Sequence, residues 1–129
     1  MAVIRKYKKG DFESLELNDF GQKDWLENKD KTQLETGEAY TIEVKSRKCI
    51  VCIEPQDDGT LYIWFTIDRR ISPIYVKYIR IIVDWAVRRG AVWTLSRGGK
   101  KQERLHKFLG GTEHGMFDGR TLWIRLQNT

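Results

Sequence analysis

Residues 60–90, TLYIWFTIDRRISPIYVKYIRIIVDWAVRRG, decide how this chain is read. The run 60–67 is rich in aromatic and β-branched residues and predicts a buried strand. Asp68-Arg69-Arg70 breaks it, and Ser72-Pro73 supplies a helix start. Serine is a good N-cap, and the missing N–H of proline costs nothing at the first helical position. From 73 to 89 the spacing is helical. Ile74, Tyr78, Ile81, Ile82 and Trp85 are expected to face inward, with Lys77, Arg80, Asp84 and Arg88 outward. Asp84 stands four residues from both arginines. Gly90 is the expected stop. Residues 91–95 form a second apolar strand, so strand, helix and strand predict a crossover unit whose strands run parallel.

Upstream, Tyr40, Ile42 and Val44 alternate with Thr41, Glu43 and Lys45, which predicts a half-buried strand over 39–46. Arg47-Lys48 is expected to turn the chain into a strand over 49–54, and Pro55 to Gly59 is a strong turn signal. These strands form an antiparallel meander. Near the N-terminus, residues 3–7 read as a strand and Asp11 as the N-cap of a helix carrying Phe12, Leu15 and Leu17. A second short helix over 20–26 would turn Trp25 and Leu26 inward; 27–38 reads mostly as loop, with a helical turn around 32–34. Downstream, a basic helix over 101–109 ends at Gly110-Gly111. The Asp118-Gly119 turn joins strands 112–116 and 121–126.

With 129 residues, 40% of them hydrophobic, and five each of Trp, Tyr and Phe, the chain has the material for one core. No linker or repeat divides it, so 1–129 is expected to be one α/β domain. Disorder needs few aromatics, and a spanning helix needs about 20 apolar residues; neither condition is met. The basic N-terminus lacks an apolar signal region, which predicts an intracellular protein. A net charge of +5, concentrated in residues 69–107, favours anionic partners. Cys49 and Cys52 have metal-like spacing, but three residues apart on a strand they point to opposite faces. No metal or redox role is expected of them.

The element order β-α-α-β-β-β-α-β-α-β-β resembles that of the GNAT acyl-CoA N-acyltransferases. Residues 4–12, IRKYKKGDF, look like the family's opening I-R-x-x-x-x-x-D; residues 60–90 are similar to its central strand, loop and long helix; Leu105 to Gly110 look like its F-Y-x-x-L-G-F helix end. The resemblance implies an α/β (α+β) fold with a mixed, mostly antiparallel sheet of about seven strands. A long crossover helix would follow the third core strand, and a hairpin would end the chain. It also implies acetyl-CoA as cofactor if the chain is active, held by Ile67, Arg69, Arg70, Ile71 and Ser72. The family's Q/R-x-x-G-x-G/A loop is matched only at Arg70, because its glycines fall on Pro73 and Tyr75. A Cβ at those positions holds the backbone away from phosphates, so the tight cradle is expected to be lost. The family's general acid aligns with His106, which on its own sequence reads instead as a surface histidine whose basic neighbours depress its pKa. Glu54 and Asp68 are the acids at strand ends that could act as base; an exposed turn carboxylate is the other reading of each.

The chain resembles still more closely a narrower group, the small GNAT-like proteins of short-tailed bacteriophages known as internal virion protein A. The shared features are Ile4-Arg5 through Asp11-Phe12-Glu13, the Trp64-Phe65 strand ending, and a basic helix ending Phe108-Leu109-Gly110. That likeness implies a non-catalytic protein with virion or host proteins as partners and no bound cofactor, located in the cytoplasm of the infected host or in the virion. An active N-acetyltransferase acting on a protein or small-molecule amine is the alternative. Nucleic-acid binding through Arg97, Lys100, Lys101, Arg104 and Lys107 is a third reading. Against it, Trp64, Trp85, Trp93 and Trp123 all sit at positions that read as core. No membrane contact is expected.

Overall fold

The computed structural model describes residues 2–18, 22 and 31–127. Strands β1 (Ala2–Lys6), β2 (Glu38–Val44), β3 (Arg47–Pro55) and β4 (Leu61–Ile67) pair antiparallel in sequence order. Helix α1 (Lys31–Thr36) precedes β2, and α2 (Tyr75–Val87) crosses from β4 to β5 (Val92–Ser96). After α3 (Lys100–Phe108), the hairpin β6 (Thr112–Phe117) and β7 (Arg120–Arg125) completes a seven-stranded sheet in the order β1-β2-β3-β4-β5-β7-β6. The expected architecture is present, including the parallel β4–β5 pair.

Each face of the sheet carries a core. Ile42, Val51 and Ile63 meet Ile79, Ile82, Val83 and Ala86 of α2 on one side. On the other, Ile50, Cys52 and Trp64 meet Leu34 of α1, with Phe12 and Leu15 alongside. A fully buried aliphatic side chain contributes about 1.5–3 kcal/mol, so these contacts dominate stability. Cys49 lies in the first core and Cys52 in the second, as strand alternation requires. Among the described residues no group of His, Cys, Asp or Glu could hold a metal ion, and no helix is long and apolar enough to cross a membrane.

The buried face of α2 overlaps the expected one only at Ile82 and the half-buried Tyr78. Ile79, Ile82, Val83, Ala86 and Val87 point inward, while Ile74, Ile81 and Trp85 are exposed, Trp85 at 42%. The helix is apolar around most of its circumference, so two stripes satisfy helical spacing. Asp84 pairs with Arg125 across the fold rather than with Arg80 or Arg88, and Arg80 donates to the Phe108 carbonyl. The helix begins after a 3-10 turn in which Ser72 and Pro73 carbonyls accept from Tyr75 and Val76, so the N-cap falls on Ile74, not Ser72. Gly90 is not left-handed; an ideal Cβ there would lie 2.5 Å from the Gly59 carbonyl oxygen. Close approach, not φ, requires that glycine.

Other boundaries moved for local reasons. The β2–β3 turn is Lys45-Ser46, both at positive φ, because Val44 pairs with Arg47. The helical turn expected around 32–34, in a segment otherwise read as loop, is α1, and the helix expected over 20–26 lies outside the described residues apart from Gln22. Asp11 caps nothing. Residues 12–14 form a single 3-10 turn, and the Asp11 carboxylate accepts from Arg5 Nη1 (2.8 Å) and Nη2 (2.9 Å), the Lys8 N–H (2.8 Å) and Thr41 Oγ1 (2.7 Å). Burial would raise its pKa, but Arg5, the Lys8 amide and Thr41 outweigh burial and hold it near 2. This buried pair is the physical content of the Arg5…Asp11 spacing.

Helix α3 ends in a Schellman motif: Gly110, at φ 88°, donates to Lys107 O and Gly111 to His106 O, both at 3.0 Å. At the final hairpin Asp118 and Gly119 are both at positive φ, as the Asp-Gly signature predicts.

Candidate functional site

The β4–β5 pair is held by two bridges, Leu61↔Val92 and Tyr62↔Trp93, and the strands diverge beyond them. The Leu61 N–H donates to Ala91 O (2.9 Å). Strand alternation therefore turns the backbone N–H groups of Phe65 and Ile67 to the same edge, past the last bridge. The wedge opens into a cleft of about 590 Å³.

Two sets of side chains line this cleft. Phe65, Tyr75, Leu105 and His106 come from the α2–α3 face, and Tyr62, Trp64, Leu95 and Arg120 from the opposite face. The cleft thus runs through the sheet at the splay, where one molecule entering from each face could meet.

His106 is 2% exposed, stacked between Trp123 (5.4 Å between centroids, 12°) and Phe65 (6.0 Å, 29°). This overturns the surface reading. The turn of α3 that exposes Lys107 and Arg104 directs His106 and Leu109 into the sheet. Its Nδ1 is buried without a hydrogen-bond partner. Burial, not the neighbouring charges, lowers its pKa, to about 4. The ring is therefore neutral at pH 7 and has no imidazolium proton to give a leaving group.

Asp68 is no exposed turn carboxylate either. It is 1% exposed and accepts from the Arg70 N–H (2.9 Å), Nε (2.9 Å) and Nη2 (2.8 Å), with the Glu16 N–H at 3.4 Å. Hydrogen bonding from the Arg70 side chain overcomes burial and holds its pKa near 2. The amides of Arg69, Arg70 and Ile71 donate to Glu16 O, Asp68 Oδ1 and Asp68 O. The Arg69 and Arg70 side chains pair with Glu16. Two arginines against two carboxylates leave the loop locally neutral, with its inner donors committed. Ile67, Arg69 and Ile71 line the cleft, but the amides of residues 69–71 serve Asp68 and Glu16, Pro73 has no N–H, and the Tyr75 and Val76 amides donate to the Ser72 and Pro73 carbonyls. Glu54 accepts from the Trp64 indole N–H and lies outside the cleft lining. Sequence reading had no means of pairing Asp68 with Glu16, 52 positions away.

Positive charge enters instead from α3. Lys101 and Arg104 line the cleft mouth with Arg97, while Lys107 pairs with Glu103 at 2.7 Å. Tested against an acyl-CoA, the wedge and the unbridged β4 edge fit the thioester arm. The amides of residues 69–71 and 75–76 are already bonded and Pro73 has none to offer, so the loop lacks the cradle a glycine motif would give a pyrophosphate, and Lys101 and Arg104 line the same cleft.

No protein-family model matches the sequence, and a search of curated proteins finds no match. Solved structures do resemble it. A GNAT-family acetyltransferase from Bacillus anthracis superposes with a TM-score of 0.73 at 9% identity, covering 98% of this chain and 95% of that one. One from Bacillus cereus ATCC 10987 gives 0.72 at 6%, covering 100% and 99%. Spermidine N-acetyltransferase from Vibrio cholerae, in complex with CoA and spermine, gives 0.70 at 13%, covering 98% and 95%. At these identities the likeness establishes architecture: this chain has the GNAT fold.

Proposed function

We propose that the chain is an acyl-CoA-dependent N-acyltransferase. The observation that carries this reading is the open cleft through the sheet at the β4–β5 splay. When bound, acetyl-CoA supplies an activated acyl thioester. The Phe65 and Ile67 amides would orient and polarise its carbonyl, and Lys101 and Arg104 would hold its phosphates in place of the committed loop. His106 stays neutral and offers at most an N–H hydrogen bond. Asp68 and Glu54 are both occupied, so the acceptor amine must arrive unprotonated, and rate should rise with pH toward the amine's own pKa.

Thermal shift with acetyl-CoA, followed by thiol release on an amine panel, tests this. A ligand at 100 times its Kd adds about 2.7 kcal/mol. No shift at millimolar acetyl-CoA would end the reading.

A second reading, a phage protein that assembles with virion or host proteins without catalysis, draws on the closed 68–72 loop and on Pro73 and Tyr75 in place of glycines. Under it, the protein would purify with virions and leave acetyl-CoA unbound. Nucleic-acid binding by Arg97, Lys100, Lys101, Arg104 and Lys107 would show as a salt-sensitive gel shift.

A further inference from the structure

Helix α2 is apolar on two opposite faces. Ile79, Ile82, Val83, Ala86 and Val87 point into the sheet, and Ile74 and Arg88 at its two ends keep helical dihedrals, so one helical geometry runs from 74 to 88. At about 3.6 residues per turn, Ile81 stands opposite the middle of the buried set, with Ile74, Lys77, Trp85 and Arg88 within about 40° of it. These residues form an outward ridge. Ile74 is 42% exposed, Ile81 38% and Trp85 42%, and Lys77 and Arg88 are exposed as well. Half-buried Tyr40 meets Trp85 edge-on at 6.0 Å and extends the patch toward β2. A surface helix ordinarily turns charged residues outward, and one that is apolar on both sides is covered on both.

The ridge is spaced symmetrically about Ile81. Ile74 and Arg88 stand equally far from it along the helix, as do Lys77 and Trp85, and as do Tyr78 and Asp84. Laid antiparallel against a second copy, Ile81 meets the partner's Ile81, Trp85 the partner's Tyr78, and Ile74 the aliphatic stem of the partner's Arg88. Lys77 then faces the partner's Asp84. That carboxylate is 40% exposed, with Arg125 on Oδ1 alone. Lys77 carries no ion pair among the described residues. A parallel pair would instead set Lys77 against Lys77 and Asp84 against Asp84, and like charges across an interface repel. Charge therefore selects the antiparallel arrangement.

We propose that α2 is the contact surface of a homodimer, in which the α2 helices of two copies of this chain pack antiparallel about a two-fold axis at Ile81. Such an interface is self-complementary, each contact occurring twice. About four turns of helix on each side make a small interface, under about 1,200 Å² in total, so the dimer should form and dissociate reversibly. The proposal stands on neither the acyltransfer nor the virion reading.

Sedimentation equilibrium from micromolar to millimolar protein tests it. The wild-type mass should rise with concentration toward twice the 15.2 kDa of the chain. Ile81→Lys puts two ammonium groups on the axis and should stay monomeric throughout. Val3→Lys charges an exposed apolar residue of β1, away from the ridge, and should dimerise as wild type does. Disulfide trapping with diamide then reads the orientation. Cys49 and Cys52 are buried, so an introduced surface thiol is the one that reacts. Ile81→Cys should give a covalent dimer on a non-reducing gel. Lys77→Cys should not, because antiparallel helices hold the two 77 positions about 12 Å apart along the axis, beyond the roughly 7 Å between Cα atoms that a disulfide spans. A wild type that is monomeric at millimolar concentration, or a dimer that survives Ile81→Lys or is lost in Val3→Lys, overturns the proposal. So does trapping that fails at 81 or is as efficient at 77. Should Ile81→Lys fail to fold, the comparison of Ile81→Cys with Lys77→Cys carries the decision.

Discussion

Replacing His106 by Phe should raise stability at low pH, by an amount that follows from burial. The imidazole is 2% exposed, its Nδ1 has no partner, and its pKa is about 4 against an ordinary 6.5. The unfolded chain takes up a proton as pH falls below 6.5, whereas the folded chain refuses it until about 4. The stability this histidine carries is thus fully present above 6.5 and is lost as pH drops from 6.5 to 4. At 1.36 kcal/mol per unit, the loss is on the order of 3 kcal/mol. For 129 residues at about 2.1 cal/mol/K each, that corresponds to roughly 11 °C in Tm. His106→Phe keeps an aromatic ring between Phe65 and Trp123 and removes the orphaned nitrogen, whose desolvation costs about 1–3 kcal/mol. It should match or exceed wild type at pH 7.5, and its advantage should widen by about 3 kcal/mol by pH 4. Calorimetric melts of both proteins across that range measure the difference. Asp11 and Asp68 act below pH 3.8 in both proteins and cancel. Parallel Tm curves would refute the reasoning, because they would mean His106 titrates normally and is not sealed in the sheet.

Asp11→Asn leaves Arg5 only Glu43 as a carboxylate among the described residues and breaks a largely buried pair, so a loss of about 3 kcal/mol is expected on denaturant unfolding; a loss below about 1 kcal/mol would contradict the burial described. Gly90→Ala sets a Cβ against the Gly59 carbonyl, backbone against backbone, and should cost about 2 kcal/mol; a neutral melt would show that the junction relaxes. Cys49 and Cys52 are buried, with burial pushing the Cys52 pKa up to about 12 and Cys49 higher still. Both thiols should stay silent to Ellman's reagent until guanidinium unfolds the chain. Lys101→Ala with Arg104→Ala should raise the acetyl-CoA Kd about tenfold at low salt, and Arg69→Ala should change it little. The reverse ranking would return the phosphates to the loop.

Strand positions, the crossover and the final hairpin were legible because alternation, helical spacing and the Asp-Gly turn are local signals. The buried stripe of α2 was not, since a helix apolar on most sides offers more than one stripe and only the sheet selects among them. The β2–β3 turn slid by two residues for a similar reason. Lys45 and Ser46 carry no strong turn chemistry, and the register of Val44 with Arg47 decided the matter. At the candidate site, Ile67, Arg69 and Ile71 line the cleft, with the Arg69 and Ile71 amides bonded to Glu16 and Asp68 carbonyls. His106 and Asp68, read from the sequence as exposed, are both buried, because burial is set by what packs across from a residue.

By itself the sequence determined the order of elements, the charge gradient, and the absence of glycines from the loop after β4, all of which are written along the chain. The tertiary structure alone decided where that charge acts. Glu16 folds back on Arg69 and Arg70 and neutralises the loop, leaving Lys101 and Arg104 at the cleft mouth and Arg120 on its far wall. Electrostatic partners are fixed by distance in space, and residues 52 positions apart meet only once the sheet has formed.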